Sequence, residues 1–489
     1  MNGAGPPIYD VVVIGGGVVG CAALRELSRY DLKVLLLEKE ADLAEGISKG
    51  NSGVIHAGFN VPSGSLKAKT NVAGLALIYP LAAELGVPHR KTGKLVVALS
   101  DEDRPRLEEL KAEGDRSGVP DLEIVGGAAI RRLEPLARGR WALYSPHTGI
   151  ISPYELTIAL AECAWQNGAE VRLETPVEAV ESGDGLFRLA TPKGTIAARA
   201  VVNSAGLFAD EVARLAGIED YRIFPYRGEY LIADKDCGLR IGMPVYPVPP
   251  KDDPGLGIHI TPTIEGNIIL GPSAEPVEDK REAASTREVM SRLKAEAGRL
   301  MPELGGVPFI HSYAGIRPKL VDPSGRDRFR DFVVEESRLR PGWINLVGIE
   351  SPGLTAAPAI AKMVAAMIGA RLALREKPGF TAERPRRVRF AHAEDAERAA
   401  RVARDPDWGE MVCRCEHVTR AEVVAALRNP FGGRTMDAVK RRTRCGMGRC
   451  QGGFCTPRIV EILQDEGVPI DGITKRGGGS RLFYGRIKD

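Results

Sequence analysis

The sequence has no uninterrupted apolar run that could cross a bilayer, and it opens without a secretory leader. Its first residues, MNGAGPPIYD, lack the basic segment followed by an apolar one that marks a signal peptide. The apolar stretch at 11–24 is broken by the glycines at 15–17, and the one at 354–374 contains Lys362 and Arg371. Because a membrane span tolerates charge at its centre poorly, we expect the second stretch to be a buried helix and predict no transmembrane segment.

A large net charge is also absent. The 489 residues contain 67 Lys and Arg against 64 Asp and Glu, which gives a net charge of +3. So small a charge does not favour nucleic acid or a membrane surface as the main partner. The length allows one large two-lobed domain and a small one.

Cysteine is scarce in the first 400 residues and concentrated near the end. The later cysteines are Cys413, Cys415, Cys445, Cys450 and Cys455. A secreted disulfide scaffold would be shorter and more evenly cross-linked. The distribution favours a cytoplasmic protein with one cysteine-ligated centre.

Residues 9–39 are predicted to form a strand, a tight turn, a helix and a second strand. YDVVVI and KVLLLEK are apolar and rich in β-formers, and GGGVVGCAALRELSRY between them has helical spacing. A parallel crossover needs a unit of about this size. The fold class predicted from it is α/β.

The turn of this unit is predicted to bind a dinucleotide. Gly15 permits a tight turn, Gly17 lets the backbone approach a pyrophosphate, and Gly20 lets the helix pack closely on the strand. Glu38 stands at the end of the second strand, 18 residues beyond Gly20, where a carboxylate can accept hydrogen bonds from a ribose. A purely structural glycine turn would leave the position of Glu38 unexplained.

The rest of the chain is predicted to contain a second lobe and a separate C-terminal domain. A surface helix is expected at 101–114 and another helix at 153–167. The β-rich stretch from 221 to 335 is expected to be a mainly antiparallel sheet over a substrate cavity. The polar, Arg-rich segment 379–408 is predicted to be a linker with a solvated helix. The predicted domains are residues 1–378 (second lobe roughly 80–150 and 221–335), the linker 379–408, and 409–489.

Several later segments resemble the D-amino-acid-oxidase-type family of FAD-dependent oxidoreductases, over nearly all of residues 8–375. They are ADLAEGISKGNSGVIHAGF, VVNSAGLFAD at 201–210 and INLVGIESPGLTAAPAI at 344–360. NSGVIHAGF with GSLKAK, GIHITPTIEGNIILGPSA and AGIRPKL resemble the L-2-hydroxyglutarate and glycerol-3-phosphate dehydrogenase branches. The resemblance implies a Rossmann-type FAD-binding domain with a mainly antiparallel β substrate-binding lobe.

The same resemblance implies a non-covalent FAD and names the residues around it. The AMP half is expected on the glycine turn and Glu38, with a backbone contact near Val177. The residues implied to line the flavin or contact the cofactor are Asn51, Ser52, Gly53, Ala205, Gly206, Gly353 and Leu354.

Oxidation of an alcohol by flavin needs a group that takes the hydroxyl proton and a group that holds an anionic substrate. Histidine is the usual base because it titrates near neutral pH, and the chain has seven. By resemblance His259 and His56 both lie near the flavin, and we expect His259 to be the base and His56 to be second. The alternative for each is a structural histidine.

Three cations are candidates for holding the substrate anion. Arg317 and Lys319 lie in AGIRPKL, and Arg227 lies in PYRGEYL. Arginine suits a forked anion such as a carboxylate or phosphate. The alternative for each is an ordinary ion pair, which weighs more against Lys319 and Arg227.

The late cysteines are predicted to hold a 2Fe–2S cluster. Cys413-x-Cys415 is followed after 34 residues by Cys450-x4-Cys455, and four thiolates are the usual ligands of such a cluster. Zinc also takes four cysteines, but C-x-C fits its common spacings poorly. Thr419-x-x-Glu422 predicts a capping box, and Thr456-Pro457 predicts a second helix start, so that both pairs would precede helix N-termini.

Residues 410–466 resemble the bacterioferritin-associated-ferredoxin-like domain, most closely in RCGMGRCQGGFC. We interpret Cys445 as a spare cysteine that could replace Cys450. The resemblance implies that this part of the chain is a small, α-rich iron–sulfur domain.

The combined architecture resembles the large subunit of anaerobic-type glycerol-3-phosphate dehydrogenases. It implies that electrons pass from a small anionic alcohol through FAD and the 2Fe–2S cluster to a redox partner protein or a quinone-linked subunit, with contact to a membrane only through that partner. The flavin motifs favour L-2-hydroxyglutarate instead, and an amine, opine or hydroxyproline substrate is a third alternative. An electron-transfer subunit without its own substrate is the alternative from another functional class.

Overall fold

The βαβ unit predicted at the amino terminus is present. The computed structural model describes residues 6–249, 257–322, 325–385 and 387–485, with the backbone alone for 325–328. The first strand runs parallel to the second, with Val11 beside Val34 and Ile14 beside Leu37. Gly17 is the N-cap of the helix between them.

The α-helices alternate with strands in the first 370 residues and dominate the last 80. They are α1 (Val18–Leu27), α2 (Leu66–Glu84), α3 (Arg104–Arg116), α4 (Gly127–Leu133), α5 (Pro153–Gln166), α6 (Ala209–Leu215), α7 (Arg287–Leu300), α8 (Gly353–Gly369), α9 (Asp395–Arg404), α10 (Arg420–Leu427), α11 (Met436–Thr443) and α12 (Cys455–Asp465). The helices predicted at 101–114 and 153–167 are α3 and α5.

The strands are short except for two long partners in the second lobe. They are β1 (Ile8–Ile14), β2 (Val34–Leu37), β3 (Val54–Ile55), β4 (His89–Lys91), β5 (Lys94–Ala98), β6 (Glu123–Gly126), β7 (Trp141–Ser145), β8 (Gly149–Ile151), β9 (Glu170–Arg172), β10 (Ala179–Gly183), β11 (Leu186–Ala190), β12 (Ile196–Asn203), β13 (Ile223–Ala233), β14 (Val245–Pro247), β15 (Ile260–Pro262), β16 (Ile268–Leu270), β17 (Glu275–Pro276), β18 (Phe309–Asp322), β19 (Gly325–Phe329), β20 (Val333–Glu336), β21 (Trp343–Val347), β22 (Met411–Cys413) and β23 (Val418–Thr419).

The first sheet has β1 near its centre. Its order is β10–β11–β12–β1–β2–β9, and β21 adds in parallel to β12 and carries β20. Val11 and Val13 pack into one core with α1, α5 and α8, whereas Tyr9 and Val12 pack into a second core on the opposite face. A strand buried on both faces reads as a continuous apolar run, as YDVVVI does.

The second sheet is mainly antiparallel, which confirms the predicted fold class. Its order is β19–β18–β13–β16–β15–β14–β5–β7–β6, with β17 also paired to β13. The pairing of β14 with β5 is parallel, and the long ladder of β13 on β18 is antiparallel. This sheet forms one wall of the cavity described below.

A small α-rich domain follows near the C-terminus, as predicted. The hairpin of β22 and β23 packs with α10, α11 and α12 around a core that contains Val412, Val423, Leu427, Ile459 and Leu463. The capping box of Thr419 and Glu422 at the start of α10 is present.

The apolar stretch at 354–374 forms α8, a buried helix packed on α1 and α2, as predicted. Within the described residues, no helix combines the length and hydropathy that a membrane crossing requires.

The segment 379–408 has two different halves. Helix α9 has no buried residue and is solvated, as expected. The residues before it are held on the first lobe, because Arg384 and Arg387 both pair with Glu162 and Arg389 pairs with Glu155. The domain boundaries stated above stay a prediction.

Candidate active site and cysteine centre

The glycine turn between β1 and α1 has no room for side chains. Gly15 has φ +110°, and a Cβ there would lie 2.5 Å from the carbonyl oxygen of Ser204. A Cβ on Gly20 would lie 2.1 Å from the carbonyl oxygen of Gly15. Both positions therefore require glycine, and the start of α1 is left open toward the cavity.

Glu38 at the end of β2 holds this turn from the other side. Its carboxylate accepts hydrogen bonds from the backbone N–H groups of Gly16 at 2.6 Å and Glu40 at 2.9 Å. Burial raises the pKa of Glu38, although these two hydrogen bonds oppose the change. The N–H of Thr175 donates to the Glu38 carbonyl, which brings the segment before Val177 to this corner, while Val177 itself packs on the second core.

The loop after β2 is folded by its own polar groups. Ser48 Oγ accepts from the Val18 N–H at 2.8 Å, at the first residue of α1. Asn51 donates to the Ser48 carbonyl at 3.0 Å and accepts from the Gly53 N–H at 2.8 Å. Tyr313 on β18 donates to the Asn51 carbonyl at 2.9 Å, so this loop is fixed to the second lobe.

One cavity of about 930 Å³ runs from the glycine turn to the second sheet. Predicted cofactor residues that line it are Gly15, Gly17, Glu38, Asn51, Ser52, Ala205, Gly206, Gly353 and Leu354. Gly20, Gly53 and Val177 do not line it. A long cavity with a helix N-terminus and a glycine turn at one end fits FAD, whose pyrophosphate needs both.

Both candidate histidines lie at the far end of this cavity. His56 is half-buried, and its Nε2 lies 3.3 Å from Ser351 Oγ. Burial, followed by the positive charge of Lys94, lowers the pKa of His56 to about 3, so its ring is neutral. His259 is 4% exposed and stacks on the ring of Tyr246 with centroids 3.3 Å apart.

The three predicted cations have different surroundings. Arg317 lines the cavity and donates to the Ser273 carbonyl at 2.9 Å. Lys319 also lines the cavity, but its ammonium lies 2.9 Å from the Glu350 carboxylate, which Lys67 contacts at 2.7 Å. 

Arg227 does not line the cavity. It is 7% exposed and pairs with Glu229 at 3.0 Å and Glu282 at 2.6 Å. These contacts favour the ordinary ion pair over the substrate contact that we expected.

Sequence reasoning missed Lys94, which lines the same cavity as the first residue of β5. It is 1% exposed, and burial lowers its pKa to about 7. The sequence shows a cation directly before the apolar run LVVA, which predicts a buried strand but does not place its first residue in a cavity.

The five late cysteines come together in the C-terminal domain. The thiols of Cys413, Cys445 and Cys455 are buried close together in the core of this domain. Cys415 Sγ lies 3.5 Å from Cys450 Sγ nearer the surface, and Cys450 is exposed. A 2Fe–2S cluster takes two sulfur ligands on each iron, and this division into a pair and a group of three fits it. Among the described residues, no group of three or more His, Cys, Asp and Glu side chains is arranged for a single metal ion.

One prediction about this centre is wrong. Helix α12 begins at Cys455 with Phe454 as its N-cap, so Thr456 and Pro457 lie within its first turn and do not precede it. Cys455 therefore lies in the first turn itself, where the helix dipole favours negative charge.

The cysteine domain packs on the loop that follows Glu38. Asp42 in that loop is fully buried and accepts hydrogen bonds from Arg441 at 2.8 Å and from Arg442 at 2.5 and 2.7 Å. Arg441 also pairs with Glu45, which lines the cavity. The two sites therefore share one loop.

Family comparisons agree with this geometry. The model for FAD dependent oxidoreductases matches residues 10–367, and the model for the BFD-like [2Fe-2S] binding domain matches residues 411–465. The chain belongs to the FAD-dependent oxidoreductase family. It carries a 2Fe–2S-binding domain behind its FAD-binding domain, and both cofactor predictions are confirmed.

Individual relatives act on alcohols. Glycerol 3-phosphate dehydrogenase of Caloramator mitchellensis is 39% identical over 485 residues, covering 98% of this chain and 99% of the relative. The mitochondrial L-2-hydroxyglutarate dehydrogenase of Caenorhabditis elegans is 35% identical, covering 73% and 92%. The solved structure of L-alpha-glycerophosphate oxidase from Mycoplasma pneumoniae with FAD bound is 30% identical with a TM-score of 0.71, covering 77% of this chain and 99% of that one. The family and these relatives make this chain a flavin-dependent enzyme of the type that oxidises CH–OH groups.

Proposed function

We propose that this enzyme is a glycerol 3-phosphate dehydrogenase that delivers electrons through its 2Fe–2S domain. The observation that carries the proposal is the 39% identity with the Caloramator enzyme across both domains. The L-2-hydroxyglutarate dehydrogenase matches 73% of the chain. The glycerol 3-phosphate enzyme therefore matches both the flavin domain and the cysteine domain, whereas the L-2-hydroxyglutarate enzyme matches a smaller part of the chain.

FAD would be held by the glycine turn, Glu38, the loop at 45–52 and the start of α8. When bound there, it supplies the acceptor for the hydride that leaves the alcohol carbon. The chain's own part is to position the alcohol, to exclude water and to take the hydroxyl proton.

We propose His56 as the group that takes this proton, with His259, which the sequence favours, as the alternative. His56 faces the cavity, and its neutral ring can accept a proton. His259 is more deeply buried and is stacked on Tyr246. An anionic substrate beside His56 would offset the charge of Lys94 and raise the pKa of the base toward neutrality.

For the cluster, we propose Cys413, Cys415, Cys450 and Cys455 as ligands. Cys445 lies beside Cys413 and Cys455 and away from Cys415, so it is an alternative to Cys455 and not to Cys450, for which the sequence suggested it. The exposed position of Cys450 supports a redox partner protein or a quinone-linked subunit at that face. The free state of all eight cysteines is consistent with the cytoplasmic location that we propose.

The test is anaerobic titration of the purified holoenzyme with glycerol 3-phosphate, followed at the flavin absorption band. We expect bleaching of the flavin and then a reduced-cluster signal by electron paramagnetic resonance. L-2-hydroxyglutarate forms the second arm, because the flavin domain matches that enzyme at 35% identity. If L-2-hydroxyglutarate alone bleaches the flavin, that compound is the substrate. If no small anionic alcohol or amine bleaches it, the protein is an electron-transfer subunit without its own substrate.

A further inference from the structure

Lys94 is a buried basic residue without a counter-ion, and the loss of hydration lowers its pKa to about 7. It is 1% exposed, and within the described residues its ammonium makes neither a hydrogen bond nor an ion pair. Its neighbours are instead the rings of Phe59 and Tyr246, whose centroids lie 4.3 and 4.4 Å from Nζ. Aromatic faces attract a cation but carry no net charge, so they replace only part of the hydration that the ammonium has lost.

The surroundings of Lys94 hold a second unsatisfied group. The hydroxyl of Tyr246 is buried and has no hydrogen-bond partner among the residues that the structure describes. Burial raises the pKa of Tyr246, so this hydroxyl stays protonated and is available as a donor. Two donors without acceptors therefore lie together in the wall of the cavity.

Three other cations that line the cavity each have an oxygen partner. Lys319 and Lys67 share the carboxylate of Glu350, and Arg317 donates to a backbone carbonyl. Lys94 is different because no oxygen of the described chain satisfies it. Its field reaches His56, whose pKa it lowers.

We propose that the Lys94 ammonium binds the anionic group of the substrate, a phosphate or a carboxylate, and so holds the alcohol carbon beside His56. This inference rests on the proposed oxidation of a small anionic alcohol, and it names the residue that selects for the anion. The bound anion supplies the missing negative charge and accepts hydrogen bonds from Lys94 and from the Tyr246 hydroxyl. A neutral alcohol leaves the ammonium buried and unpaired, and the site rejects it for that reason.

The first test compares Lys94→Met and Lys94→Gln with Lys33→Met. Lys33 is a matched control, since its ammonium lies 4.4 Å from the centroid of the Tyr9 ring but the residue is exposed and outside the cavity. With glycerol 3-phosphate and L-2-hydroxyglutarate as separate arms, we expect the Lys94 variants to keep their FAD and to raise KM about tenfold or more, more than they lower kcat. The control keeps wild-type values. A KM within about twofold of wild type overturns the proposal.

The second test does not depend on turnover. Inorganic phosphate and glutarate are added to the oxidised holoenzyme, and thermal unfolding is followed. We expect at least one of them to raise the Tm of the wild type and of Lys33→Met but not that of Lys94→Met. If the anions raise the Tm in this way but no substrate reduces the flavin, the proposed function is wrong and the anion site at Lys94 is still supported.

A structural role for Lys94 gives the opposite pattern. If the ammonium served only to pack between two rings, its removal would lower the Tm without ligand and leave the response to anions intact. An anion site predicts a Lys94→Met protein at least as stable as wild type without ligand, because an unpaired buried charge has been removed. Failure of both Lys94 variants to fold or to bind FAD would overturn the proposal in favour of the structural role.

Discussion

Two histidines at one end of a cavity differ in what they can do there. His56 presents a neutral ring to the cavity beside the Ser351 hydroxyl. His259 has most of one face covered by Tyr246. Both residues line the cavity, and the distinction is one of exposure, because His56 is half-buried whereas His259 is 4% exposed.

Substitution separates the two. We expect His56→Ala to retain FAD and to slow flavin bleaching by the substrate about 10²- to 10⁴-fold, the usual contribution of a positioned base. His259→Phe keeps the stacking on Tyr246 and removes the ring nitrogens, and we expect a much smaller change. Stopped-flow measurement of bleaching under anaerobic conditions gives both rates, and a larger loss in His259→Phe would assign the base to His259.

The fifth cysteine allows a similar comparison. We expect Cys445→Ser to retain the 2Fe–2S cluster and Cys455→Ser to lose it, because only one of these buried thiols is needed beside Cys413. Iron and sulfide content and the visible absorption of the cluster measure the outcome. Loss of the cluster in Cys445→Ser together with its survival in Cys455→Ser would exchange the two assignments.

Residues whose role follows from the local chain were predictable, and those defined by distant neighbours were not. Gly15 and Gly20 are required by the turn they form, and their pattern is visible in the sequence. Lys94 is a cavity residue only because Phe59 and Tyr246, which are remote in sequence, surround its ammonium. The ion pairs of Arg227 likewise depend on Glu282, 55 positions away.

At the scale of elements, the contact between the first turn of α1 and β1 decides whether the nucleotide site forms. Gly20 places α1 against the carbonyl of Gly15, and Gly17 opens the helix toward the cavity. The elements here were predictable because apolar strands and glycine spacing are local signals.

Gly20→Ala tests this contact. Its Cβ would lie 2.1 Å from the Gly15 carbonyl oxygen, so α1 must move away from the turn. We expect purified protein with little FAD, measured by flavin absorbance, and a lower Tm. Gly298→Ala is the control, since a Cβ there meets nothing within 4 Å in α7, and it should stabilise the protein by about 0.5–1 kcal/mol. Normal FAD content in Gly20→Ala would contradict the close packing.

The start of α12 shows why element boundaries are less predictable than elements. With Thr456 as cap, Pro457 would be the first residue of the helix, yet the helix begins two residues earlier, at Cys455. Cys455 is drawn into the small core with Cys413 and Ile459, and this packing outweighs the preference for a Thr cap.

At the scale of the whole molecule, two domains that the sequence shows as separate are in contact, and the most deeply buried of their ion pairs centres on one acid. Asp42 lies in the loop that leads to the cavity, and it is paired with Arg441 and Arg442 from α11. Neither the acid nor the arginines form a motif, so their contact could not be predicted. It places the cysteine domain on the loop that lines the flavin cavity, which is where a one-electron carrier is useful.

We expect Arg442→Met to loosen this docking. Breaking one member of a buried ionic cluster destabilises a protein by about 3 kcal/mol or more. Bleaching of the flavin by substrate should continue, while appearance of the reduced cluster slows. Arg428→Met is the matched control, because Arg428 pairs with Glu466 within the cysteine domain and is 67% exposed. Equal cluster-reduction rates in both variants would show that docking does not depend on this pair.

The contact of Asp42 with Arg441 and Arg442 also sets the lowest pH at which the two domains stay docked. Burial raises the pKa of Asp42, but the opposing effect of Arg442 and Arg441 is larger, so the pKa is lowered to about 2. Because this lies below the value of about 3.9 in an unfolded chain, the stabilisation is complete above about pH 4 and is lost as pH falls toward 2. Limited proteolysis near residues 405–410 from pH 7 to pH 3 should therefore show protection in the wild type down to about pH 4, and Arg442→Met should be cleaved throughout. Early cleavage of the wild type near pH 6 would mean that a group other than Asp42 controls how the domains hold together.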